Sequence, residues 1–100
     1  MKYDLNDFIL KYQDADFLTL IVEVTKEVRQ LDARYMRLKR NQYDEGLGYY
    51  RDHVGDFLFY LNCGIVPAGI GLKGLQKFQP IIENLVNKGQ FKPQALDIFK

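Results

Sequence analysis

From Phe17 onward the apolar positions fall into an alternation of four and three: Phe17, Ile21, Val24, Val28, Leu31, Tyr35 and Leu38. Positions spaced this way share one side of a helix, so the pattern predicts a long helix with a heptad-like stripe that packs along a second one. At about 1.5 Å per residue it would run to roughly 35 Å. The opening FLTLIVEVT is rich in β-branched residues, and Leu18, Leu20, Val22 and Val24 alternate as a strand would. Ile21 breaks that alternation, and the good helix formers of KEVRQLDARYMRLKR carry the helical spacing two heptads further, so helix prevails. Asp14 or Asp16 is placed to cap its start. Leu18, Leu20 and Val22 form a second apolar edge there, which predicts cover from more than one side.

Upstream, Leu5, Phe8, Ile9 and Tyr12 fit a short helix capped by Asp4 that folds back through the turn at Gln13 to Asp16. After a connection at Asn41 to Glu45, Leu47, Tyr50, Val54, Phe57 and Leu61 repeat the three-four spacing, and Gly64 is placed to end that helix as a left-handed cap. Gly55 inside it suggests close approach by another helix. Leu72, Leu75 and Phe78 begin a fourth helical segment, where Pro80 either kinks the helix or starts a new one. Gly89 closes it, and Pro93 opens a short terminal helix through Leu96 and Phe99. The expected fold is therefore all-α: a compact bundle of four to five helices in one domain, with a long second helix and a Pro-kinked fourth segment.

Composition narrows the partners. The 100 residues carry 14 Lys and Arg against 13 Asp and Glu, so the net charge of +1 gives no global field toward nucleic acid or anionic lipid. With 47% apolar and 27% charged residues a packed core is expected. The single cysteine, Cys63, leaves no intramolecular disulfide and favours a reducing compartment, the cytoplasm by default. Asp4 and Asp7 stand where an export signal would need apolar residues. Sixteen residues from Phe57 to Leu72 are uncharged, short of the roughly 20 needed to span a bilayer and interrupted by Asn62, Gly64, Pro67, Gly69 and Gly71.

Within that stretch CGIVPAGIGLKG has the glycines of a phosphate loop, Gly64 and Gly69, but Ile70 and Gly71 stand where such a loop needs Lys and Ser/Thr. It reads as a turn between helices. His53, the only histidine, has Asp52, Tyr49 and Asp56 within a turn, yet one imidazole among scattered carboxylates makes no defined metal site. Cys63 falls at a helix carboxyl end, where the dipole disfavours a thiolate, and is expected to be a small buried residue. There is no serine, and threonine occurs only as Thr19 and Thr25. No catalytic, cofactor or metal site is expected, and binding without catalysis is the reading that follows.

The leading expectation is a small intracellular interaction module, an adaptor or inhibitor, that acts through an apolar and aromatic helical surface. Tyr49, Phe59, Tyr60, Ile65, Val66 and Ile70 are the expected contact residues, since interfaces favour rigid aromatics. Its partner is a protein of unspecified identity, with self-association through the same surface as a variant of that reading. A membrane-surface immunity-type protein using Phe57 to Leu72, with Lys73 and Lys77 at the headgroups, is the first alternative. A nucleic-acid-associated regulator using the basic patch Arg34, Arg37, Lys39 and Arg40 is the second, and the neutral chain weighs against it.

Overall fold

The structure, a computed structural model, describes residues 3–37 and 45–100, and among them there is no strand. Helix α1 (Leu5–Tyr12) starts at Asp4, whose extended backbone and carboxylate make the expected cap by accepting from the Asn6 N–H at 2.9 Å. Helix α2 (Phe17–Arg37) confirms the helical reading of FLTLIVEVT, and its described stripe positions lie in or against the core. Leu38 lies outside the described residues.

Helix α3 (Glu45–Cys63) buries the whole predicted row, Leu47, Tyr50, Val54, Phe57 and Leu61. Gly64 follows it with φ of 71°, donating to the Tyr60 carbonyl at 2.7 Å, as the cap reading required. Phe91 touches Phe17 at the start of α2 and Tyr60 near the end of α3, so these two helices run antiparallel. Gly55 marks no close approach: a Cβ there would meet nothing within 4 Å.

The fourth segment divides at Lys77–Phe78 into α4 (Gly71–Gln76) and α5 (Gln79–Asn87), with Pro80 in the first turn of α5, where no helical hydrogen bond needs its N–H. Gly89, φ 71°, ends α5 in a Schellman motif, with Gln90 N–H on the Leu85 carbonyl at 2.8 Å and Gly89 N–H on that of Val86 at 3.0 Å. The terminal helix Pro93–Phe99 is of the tighter 3-10 type.

The start of α2 is capped from far along the chain. The Gln90 side-chain oxygen accepts from Phe17 N–H at 2.6 Å, Asn84 donates to the Ala15 carbonyl at 3.1 Å, and Lys88 donates to the Asp14 carbonyl at 2.7 Å. The Asp16 carboxylate, a predicted cap, instead meets Lys88 at 3.2 Å. The end of α5 thus clamps the α1–α2 turn. Leu20 is buried, but Leu18 and Val22 are 74% and 44% exposed, so the second apolar edge of α2 is not covered as expected.

Between α1, α2 and α3, the Glu27 carboxylate accepts from the hydroxyls of Tyr12 at 3.3 Å and Tyr50 at 2.5 Å. Burial, then the Glu27 hydrogen bond and charge, hold the Tyr50 phenol far above its ordinary range. Burial and then Glu27 raise that of Tyr12, and burial alone raises that of Tyr60. Tyrosines of the unfolded chain ionise near about 10, so above that pH the unfolded state has released protons that the folded state still binds. Stability then falls as pH rises, by up to about 1.4 kcal/mol per pH unit for each such tyrosine, until its folded-state pKa is passed. Phenolate absorbance followed with circular dichroism should show part of the seven tyrosines ionising only as helix is lost. Ionisation of all of them with the helices intact would contradict the burial.

Candidate functional site

Helix α3 carries a second row on the side away from its buried stripe. Tyr49, Asp52, Asp56, Phe59 and Cys63 recur at three-four spacing, and all but the half-buried Asp56 are exposed. Cys63 is therefore at the surface, not buried as expected; its place in this row, out of phase with Phe57 and Leu61, is the reason. His53 flanks the row, its ring stacked on Tyr49 at 4.1 Å between centroids. Its Nδ1 lies 2.9 Å from the Tyr49 carbonyl oxygen, which can only accept, so Nδ1 carries the hydrogen and Nε2 holds the lone pair in the neutral ring.

The glycine-rich segment faces this row. Asp56 accepts from the Ile70 N–H at 3.0 Å and so pins the turn to α3. Gly69 makes this approach possible, because a Cβ there would stand 2.6 Å from the Asp56 Oδ2. Gly74 leaves room for the side chain at the start of its own helix and for α3: its Cβ would lie 2.5 Å from the Ile70 Cβ and 3.3 Å from the His53 Nε2. Between α3 and α4 remains an open cleft of about 860 Å³, with Tyr49, Asp52, His53 and Asp56 on one wall and Lys73 and Lys77 on the other. Both signs of charge line it.

The two glycines make a paired prediction. Gly69 is not left-handed, so alanine would ordinarily gain about 0.4–1 kcal/mol by restricting the unfolded chain. Displacing Asp56 from its hydrogen bond costs more, about 1.5–3 kcal/mol for a charged acceptor, so Gly69→Ala should destabilise by about 1 kcal/mol. Gly55→Ala, in open space inside a helix, should stabilise by about 1 kcal/mol. Urea unfolding of the two variants checks both signs, and a stabilised Gly69→Ala would refute the pinned turn.

Of the predicted contact residues, Tyr49, Phe59, Ile65 and Val66 are exposed at 51%, 45%, 62% and 37%, and Leu72 joins them at 45%. Ile70 is half-buried against the core and folds over Gly74. Tyr60, expected at the exposed patch, is 1% exposed: it follows Phe57 by one turn, and Phe91 covers it with ring centroids 5.6 Å apart. Arg34 and Arg37 are exposed at the end of α2, with Arg34 5.7 Å from the centre of the Tyr3 ring. Lys39 and Arg40 lie outside the described residues. Sequence reasoning missed Asp56 as the pin and Lys73 and Lys77 as the facing wall. The repeat of Asp52 and Asp56 in phase with Tyr49 was the available signal for the α3 half, and nothing local signalled the rest.

Among the described residues no group of three His, Cys, Asp or Glu side chains could hold a metal ion, and no helix is long and apolar enough to cross a membrane. No protein-family model, curated protein or solved structure matches the chain.

Proposed function

We propose that this chain is a non-catalytic binding module that seats a protein partner on the outer row of α3 and the turn that follows it. The observation that carries this reading is where apolar surface is left over. Nine large hydrophobic side chains are exposed among the described residues, and five of them, Tyr49, Phe59, Ile65, Val66 and Leu72, fall between positions 49 and 72. That segment also supplies Tyr50, Val54, Phe57, Tyr60 and Leu61 to the core, so the exposed Tyr49 and Phe59 of α3, and Ile65, Val66 and Leu72 after it, are apolar surface beyond what the core takes up. Two rigid aromatics and three aliphatic side chains, with Asp52, Asp56, Lys73 and Lys77 supplying both signs of charge along the cleft, are the residue types that protein interfaces combine.

Binding in preference to catalysis is supported by the residue inventory. Serine is absent, the one histidine spends Nδ1 on its own helix, and the one cysteine is exposed at the end of that helix. Light scattering combined with affinity capture from the native host tests the proposal. The expected result is either a stable dimer or a captured protein. A strict monomer that captures nothing would overturn it. Flotation with anionic vesicles separates the membrane-surface alternative, and the expected result is that the protein stays with the unbound fraction.

A further inference from the structure

A second cleft, of about 610 Å³, lies beside the carboxyl-terminal half of α2 and shares no lining residue with the first. Gln30, Ala33, Arg34 and Arg37 stand at helical spacing along one side of it, with Arg29 at the edge, and Tyr3 and Tyr50 close it from α1's approach and from α3. We infer that this cleft binds a phosphate monoester or a comparable dianion.

The acids that could have neutralised these arginines are engaged elsewhere. Glu23 pairs with Lys26 at 3.7 Å, Asp32 is taken by Arg51, and the two Glu27 oxygens accept from the Tyr12 and Tyr50 hydroxyls. Among the described residues Arg29, Arg34 and Arg37 have no carboxylate partner. Among the described residues, three arginines thus line a cleft with one carboxylate, Glu27, already hydrogen-bonded. In a chain of net charge +1 this is a local excess and not a reflection of overall charge.

The geometry suits an anion in two further respects. The Arg34 guanidinium carbon lies 5.7 Å from the centre of the Tyr3 ring, within reach of cation–π attraction, and its N–H groups have no acceptor among the described residues. Guanidinium forks match phosphate oxygens two at a time, as ammonium groups do not. Ala33, one turn from Arg29 and one turn from Arg37, puts no long side chain between them. The volume falls in the range of small-ligand sites, about 300–1,000 Å³, so the phosphate would arrive attached to an organic group.

The full chain, labelled with 15N, would be titrated with inorganic phosphate, O-phosphoserine and adenosine monophosphate, with sodium chloride at matched ionic strength and serine as controls. Saturable amide shifts confined to Tyr3 and residues 27–37, weakened by added salt and absent with chloride or serine, are expected. Whichever ester binds more tightly, phosphoserine or the nucleotide, identifies the source of the group. Arg37→Gln, which leaves the Arg34–Tyr3 contact intact, should weaken binding about tenfold. Arg34→Lys, which keeps the charge and loses the fork, should weaken it about threefold or more. Shifts no different from the chloride control would overturn the inference, as would unchanged affinity in a folded Arg37→Gln. A role for Arg37 confined to the helix dipole would lower Tm in that variant and leave phosphate affinity unmoved.

Discussion

Phe78→Ala should cost about 3–5 kcal/mol, as removal of a fully buried aromatic does, and lower Tm by on the order of 20 °C. Phe78 is 0% exposed and occupies the break between α4 and α5. Its ring lies flat on Phe57 with centroids 4.2 Å apart, and Phe8 meets it edge-on at 5.8 Å. One side chain thus joins α1, α3 and the α4–α5 corner. A domain of this size holds only about 5–15 kcal/mol in total, so the variant should be partly unfolded at growth temperature. Urea unfolding monitored by circular dichroism gives the number, and a loss below about 1 kcal/mol would mean that the corner is held by something else.

Glu27→Ala should be the most damaging change at a polar residue, at about 2–4 kcal/mol, because it strands two hydroxyls at once. Tyr12 and Tyr50 are 4% and 7% exposed, and the Glu27 carboxylate is the acceptor for both. Glu27→Gln keeps one carbonyl acceptor and should lose roughly half as much. Tyr12→Phe made together with Tyr50→Phe removes the donors instead, so adding Glu27→Ala to that background should cost much less than in the native chain. Equal costs in both backgrounds would show that Glu27 acts without the tyrosines.

The α3 stripe from Leu47 to Leu61 was legible because a helix facing one core writes its phase directly into the spacing of its apolar residues. The same logic found the stripe of α2 but not the fate of its edge. Leu20 is buried while Leu18 and Val22 face solvent, because the end of α5 docks on the turn before α2 and leaves that edge uncovered. Caps followed the same division. Asp4 is local and readable, whereas the cap of α2 is the Gln90 side chain, 73 residues away. Tyr60 stands at the boundary of the buried phase, where Phe91 decides its exposure, whereas Cys63 is exposed because its phase is that of the outer row of α3. By sequence CGIVPAGIGLKG reads as a turn between helices. At Gly69 and Gly74 the reason for glycine is contact, with Asp56 and Ile70 standing where a Cβ would go.

Phe57 and Phe59 are two residues apart on one helix, the first 0% and the second 45% exposed, and their variants should part company. Phe57→Ala should unfold the chain by about 3–5 kcal/mol, whereas Phe59→Asp with Ile65→Asp should leave stability within about 0.5 kcal/mol, as surface changes do. The most direct test of the binding role is partner retention, or dimer mass, measured on the native chain and on Phe59→Asp/Ile65→Asp side by side. The partner should be lost from a variant whose Tm is unchanged; retention at native level by that folded variant would contradict the account.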